Sequence, residues 1–183
     1  MILDISYTLI RSSRKTIALE IRPDGTVLVR APKRMSDRAV REFVASKDSW
    51  LRAKLQKYTH PAPPPLTEQE LKELKARAKE YLSHRAALYA PAVGVSYGSI
   101  TIRAQKTRWG SCSTRGNLNF NCLLMLAPPE IRDYVVIHEL CHRKYMDHSA
   151  GFWAEVARVF PRYRSCRQWL KDNGGILIAR LPE

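Results

Sequence analysis

Two histidines and a glutamate carry the clearest chemistry in the sequence: His138, Glu139 and His142, within Val135-Val136-Ile137-His138-Glu139-Leu140-Cys141-His142. Four helical residues turn through about 400°, so imidazoles four apart share one face, roughly 6 Å apart along the axis. Neutral imidazole nitrogens suit zinc, which binds them at about 2.0–2.1 Å in a tetrahedral array. Glu139 is turned about 100° away from His138. It need not bind metal, and can take the proton of a zinc-bound water as general base. The spacing predicts a hydrolytic centre holding one Zn2+ per chain.

An open catalytic zinc needs a third protein ligand. His148 lies six residues beyond His142. A continued helix would carry it about 240° round and roughly 9 Å along the axis. The helix is therefore expected to stop near Lys144–Met146 and fold back, with Asp147 or Ser149 capping a new helix from Ala150. His148 then occupies the turn. Glu155 is the competing third ligand, as in His₂Glu sites. No fourth ligand is marked by spacing, which favours an open position over a closed structural site.

Elements on either side must hold these groups in place. Pro128-Pro129-Glu130 opens the metal helix with proline and an acid in its first turn. Upstream, Ile2–Ile10, Thr16–Ile21 and Thr26–Arg30 alternate as strands, with Pro23-Asp24-Gly25 as a turn. Ser36 caps a helix carrying Val40, Phe43, Val44, Lys47, Trp50, Leu51 and Leu55 at helical spacing. His60–Pro65 reads as a stiff connector. Thr67 and Glu70 form a capping box for a helix running towards Tyr89. Short strands follow at Gly94–Tyr97 and Ile100–Ala104, then an ordered loop, Lys106–Gly116, and a strand, Leu118–Leu126. By architectural analogy alone, that last strand is where an extended substrate would pair. The sequence thus predicts an α+β chain: an N-terminal β-rich basic lobe plus helix over 1–60, a proline-rich connector over 61–66, and a catalytic core over 67–183.

Weaker candidates accompany the zinc motif. Arg108, Trp109 and Asn121 are candidate substrate-binding residues; Arg108 and Lys106 either orient a carbonyl or phosphate or are solvated cations on a loop packed by Trp109. Tyr145 and Tyr163 are either oxyanion donors or core. Cys141 is expected to be small and buried, and Trp50, Trp153 and Trp169 to be core. Cys112, Cys122, Cys141 and Cys166 form no C-x-x-C pair, so a zinc ribbon or redox motif is excluded and reduced thiols are expected.

The chain has 183 residues and a net charge of +14. Residues 1–60 hold 13 basic and 6 acidic side chains, half the surplus in the first third. Such a lobe attracts polyanions in a salt-dependent way. At 45% hydrophobic and 26% charged, wholesale disorder is excluded. No apolar run approaches the roughly 20 residues of a membrane span, and Met1–Arg22 does not read as an export signal. A soluble cytoplasmic protein is expected.

The spacing H-E-x-x-H-x5-H is that of the metzincins, yet Tyr145 stands at their turn glycine. A broader set of residues resembles another family, the YgjP-like metallopeptidases, relatives of the SprT-like zincins. The set includes Arg14-Lys15-Thr16-Ile17, Val27–Pro32, Arg108-Trp109-Gly110-Ser111-Cys112 and Gly116-Asn117-Leu118 with Asn121. It continues through Tyr134–His142, His148-Ser149, Phe152-Trp153, Pro161–Tyr163 and Arg167–Lys171. Cys122 departs from it, standing where the family often carries an aromatic. The resemblance implies a zincin-like α+β fold, zinc on His138, His142 and His148, and Glu139 as catalytic base. The leading expectation is a peptidase acting on peptide or protein substrates. Two alternatives stay open: a metal-dependent nucleoside triphosphate pyrophosphohydrolase, and a basic nucleic-acid-associated protein with a structural zinc.

Overall fold

The computed structural model describes residues 5–22, 25–55 and 63–182. The beginning of the first expected strand at 2–4, Pro23 and Asp24 of the expected turn, and the connector up to residue 62 lie outside the described residues. Chain contacts divide the molecule into two compact units, Met1–Pro63 and Pro64–Glu183.

The first unit is a three-stranded sheet with two short helices. Strands β1 (Tyr7–Ser12), β2 (Ala18–Ile21) and β3 (Val27–Pro32) take the order β1-β3-β2. Central β3 runs parallel to β1 and antiparallel to β2, both Tyr7 and Ile21 lying opposite Val27. Alternate residues Val27, Val29 and Ala31 share one face and cluster with Val40, Val44 and Leu51 of the helices. The sequence predicts one helix here; the described residues form two, α1 (Asp37–Ala45) and α2 (Asp48–Leu55). Ser36 caps α1 by accepting from Ala39 N at 3.2 Å. The break follows from Ser46, whose hydroxyl donates to the Phe43 carbonyl at 2.7 Å and competes with the helical ladder. Trp50, expected in the core, is 44 % exposed.

The second unit is built on a long helix, α3 (Glu68–Val93). Its capping box forms as the spacing predicts: Thr67 N donates to Glu70 Oε2 at 2.7 Å and Glu70 N to Thr67 Oγ1 at 3.2 Å. Leu74, Ala78, Leu82, Ala86 and Ala90 are buried along one stripe, and the alanines admit a neighbouring helix closely. Gly94, at φ 75°, ends the helix in a left-handed conformation.

A second three-stranded sheet follows: β4 (Ile100–Arg103), β5 (Gly110–Cys112) and β6 (Leu118–Asn121), in the order β4-β6-β5. Three sequence expectations are corrected here. Gly94–Tyr97 forms no strand, and the expected loop 106–116 contains β5. The run Leu118–Leu126 is strand only to Asn121, then a 3₁₀ helix over Cys122–Leu126. Cys122, Leu123, Leu124 and Met125 are all buried, so the run lacks the alternation of a half-buried strand. Asn121 Oδ1 accepts from Leu123 N at 3.1 Å and turns the chain. Because β6 pairs on both sides, the edges of this sheet are β4 and β5, and β5 is the edge that lies against α4.

Three helices complete the unit: α4 (Pro129–Cys141), α5 (Ala150–Val159) and α6 (Tyr163–Ile178). Helix α4 is buried nearly all round, with α3, α5, α6 and β5 against it. A fork of Arg85 fastens it to α3, giving Nε to Asp133 Oδ1 at 2.6 Å and Nη2 to Oδ2 at 2.5 Å. Tyr89 OH also donates to Asp133 Oδ2, at 3.0 Å. The architecture is α+β, with two small sheets and more helix than strand. Among the described residues no helix is long and apolar enough to cross a membrane.

Candidate metal centre

Helix α4 presents His138 and His142 on the same face, and their rings lie 4.9 Å apart. After Cys141 the chain leaves the helix, and residues 142–149 form a turn. Asp147 Oδ1 accepts from Ser149 N at 3.1 Å, while Ser149 caps α5 through Phe152 N. These local bonds point His148 back at α4. Its ring stands 5.1 Å from His138 and 4.8 Å from His142. One ligand atom from each histidine falls within 4.8 Å of the other two. Phe152, fully buried, lies beneath all three rings at 4.5–4.9 Å.

The ring nitrogens show what these histidines can bind. His142 Nδ1 lies 2.9 Å from the Tyr145 carbonyl, which can only accept, so Nδ1 carries the proton. The Nε2 lone pair is thereby left free, the arrangement that orients a ligating imidazole. Nε2 of His138 faces Nε2 of His148 at 3.1 Å. Two nitrogens bound to one tetrahedral zinc stand about 3.3 Å apart. His138 Nδ1 is buried with no hydrogen-bond partner among the described residues. Burial, aided by His142, His148 and Arg167, pushes the His138 imidazolium down to about 3, and burial also lowers His142. Neutral imidazoles with converging lone pairs are what a borderline-soft cation requires. The residues fit a bound zinc.

Glu139 is 4 % exposed on the neighbouring face of α4. Burial is the single cause that raises its carboxyl to about 8. A cation nearby restores the carboxylate, since opposite charge offsets desolvation. The carboxylate rests against the backbone of Gly110, where a Cβ would lie 2.5 Å from Oε1 and 2.8 Å from Cδ. Glycine is thus required in β5 for close approach of the acid, a demand that the sequence alone does not announce.

The remaining candidates fall in different places. Glu155 turns away from the triad, accepting from Lys144 Nζ at 2.8 Å and Arg158 Nη2 at 2.7 Å. Asn121, read from sequence as substrate-binding, is fully buried. Its amide donates to the carbonyls of Gln105 and Arg108 at 2.7 and 2.9 Å, so it ties down the loop. Arg108 is exposed. Trp109 is half-buried, its ring covering Gly174 of α6. Tyr163 is core, but Tyr145 is 39 % exposed. Cys141 is fully buried, its thiol pushed up to about 12 by burial. Phe152 and the Tyr145 carbonyl are positioning groups that spacing could not reveal, because their contacts depend on the fold-back of the turn.

Sequence comparison agrees with this geometry. The chain matches the family described as YgjP-like, metallopeptidase domain, over residues 15–73 and 65–173. It belongs to the YgjP-like metallopeptidases. Membership makes the YgjP-like chain a metal-dependent hydrolase of the peptidase class. Two solved structures are similar to it. The metallopeptidase zymogen abylysin of Pyrococcus abyssi is 25% identical, over 49% of the YgjP-like chain and 92% of its own, with a TM-score of 0.45. The metallopeptidase zymogen jannalysin of Methanocaldococcus jannaschii is 18% identical, over 50% and 95%, also with a TM-score of 0.45. No curated protein matches the chain.

Proposed function

We propose that this chain is a zinc peptidase in which His138, His142 and His148 hold one metal ion and Glu139 is the general base. The convergence of three imidazoles beside a buried carboxyl carries this reading. Zinc, when bound, supplies Lewis acidity that polarises the scissile carbonyl and makes water a better nucleophile. Glu139 accepts a proton from the attacking water and returns it to the leaving amine. The Gly110 backbone fixes the carboxylate from one side, and the burial of α4 limits its motion. Strand β5 offers the sheet edge next to Glu139, so an extended peptide added there would pass over the base.

Three histidines, with no further acid, cysteine or histidine in the group among the described residues, favour an open fourth position for substrate. That arrangement speaks against a structural zinc. Family membership favours a peptide bond over a phosphoanhydride. The test is Glu139→Gln. Peptide hydrolysis should fall about a thousandfold while zinc stays near one per chain. Undiminished hydrolysis by the variant would overturn the mechanism.

A further inference from the structure

Beside the triad, α5 and α6 enclose an open groove lined by Trp153, Tyr163, Arg164, Arg167, Gln168 and Lys171. Three of these six residues are cations, and no acidic residue lines the groove. Arg164, Arg167 and Lys171 form no ion pair among the described residues. Lys144 and Arg158 differ, both being taken up by Glu155, and Arg143 is held by the carbonyls of Ser96 and Thr114. Arg164 instead donates to the Tyr163 hydroxyl at 3.2 Å. Arg167 lies over the Trp153 ring, 4.8 Å from its centre.

Trp153 joins the groove to the metal site. Its ring stacks on His148 at 5.6 Å and on Tyr163 at 5.3 Å, and stands 5.8 Å from His138. The Arg167 guanidinium is therefore one indole away from two of the three imidazoles. An extended peptide rises about 3.3 Å per residue, so a group held by Arg167 belongs to a residue within about three positions of the bond cut. Guanidinium and ammonium groups with no carboxylate of the protein beside them recognise carboxylates or phosphates. The indole is already stacked by protein on His148 and Tyr163 and covered by Arg167, so it offers no open platform for a nucleobase. A carboxylate needs no such platform.

We propose that this groove is an anion subsite selecting peptide substrates with a carboxylate, from an acidic side chain or the chain terminus, within about three residues of the scissile bond. The proposal rests on the peptidase reading above, and binding separates the two. Zinc-loaded Glu139→Gln protein is titrated by fluorescence anisotropy with labelled peptides in matched sets: Asp- or Glu-containing, the Asn or Gln counterpart, and each with a free or amidated C-terminus. The acidic peptide should bind about tenfold more tightly than its amide counterpart. Loss of that preference on amidation alone would assign the carboxylate to the terminus; loss on Asp→Asn alone, to the side chain. Adding Arg167→Gln or Lys171→Glu should bring the ratio to about one with zinc content unchanged. Equal binding of acidic and amide peptides, or a preference that survives both substitutions, would overturn the subsite. So would a single-stranded oligonucleotide that displaces the acidic peptide and loses its own binding in the Arg167→Gln protein. If the preference holds but wild type cuts none of the peptides, the subsite stands and the peptidase reading falls.

Discussion

The two sheets of this molecule have the same plan and different consequences. In each, three consecutive strands are ordered first, third, second, and the third runs parallel to the first and antiparallel to the second. In each, helical structure follows the central strand. Yet the helix after β3 is α1, amphipathic and polar on its outer face, whereas α4 is enclosed on nearly every side. The second strand differs as well. Strand β2 reads Ala18-Leu19-Glu20-Ile21, with a side chain at every position, while β5 opens on Gly110 and receives a buried carboxylate there. One topology therefore serves as plain scaffold in the first unit and as a cradle in the second. What separates them is a buried helix able to hold polar groups out of water, and one missing Cβ.

The contrast is sharpest in how each helix is fastened. Asp133 of α4 is 9 % exposed and takes both arms of Arg85, while Arg11 and Asp37 of the first unit pair at the surface. Asp133→Ala should lower the unfolding free energy by about 3 kcal/mol, because it leaves a half-buried guanidinium unpaired. Asp37→Ala should cost less than about 1 kcal/mol. Urea denaturation followed by tryptophan fluorescence measures both. Equal losses would mean that burial does not distinguish the two helices.

A smaller effect tests the cradle. Gly110→Ala drives a methyl group into the Glu139 carboxylate. Displacing a catalytic group by about 1 Å costs on the order of a hundredfold in rate. Peptide hydrolysis should fall by that amount, with zinc content and thermal midpoint almost unchanged. A drop in zinc content equal to the drop in rate would place the fault at the metal instead.

The smallest expected effect concerns Glu155, which anchors α5 to the turn. Hydrogen bonds from Arg158 and Lys144 hold its carboxyl down at about 2, below the ordinary 4.5. A depressed carboxyl contributes stability that is full above pH 4.5 and is lost as pH falls from there towards 2. Metal-free wild type should therefore be more stable than Glu155→Gln at pH 7, and the gap between their thermal midpoints should close across that window. A gap constant from pH 7 to 2 would exclude the ion cluster as its source.

The zinc motif was legible because its geometry is local: a proline-started helix fixes His138 and His142 whatever surrounds it. The fold-back at His148 was legible through Asp147 and Ser149, whose side chains favour turns and caps over helix interiors. Strand β5 was not, since Gly-Ser-Cys has little strand propensity and exists as strand only by pairing with β6. The 3₁₀ segment after Asn121 was not legible because a buried apolar run carries no period, and the Asn121 amide that turns it is oriented by the Gln105 and Arg108 carbonyls, which the fold brings there. Trp50 was misplaced because its helix breaks at Ser46, which shifts the face that α2 buries.

Zinc titration shows directly whether the turn after α4 supplies the third ligand. Apo-protein should take up one Zn2+ per chain, His148→Ala should lose more than about a hundredfold in affinity, and Glu155→Gln should bind like wild type. Retained affinity in the histidine variant, with loss in the glutamate variant, would make Glu155 the third ligand in place of His148.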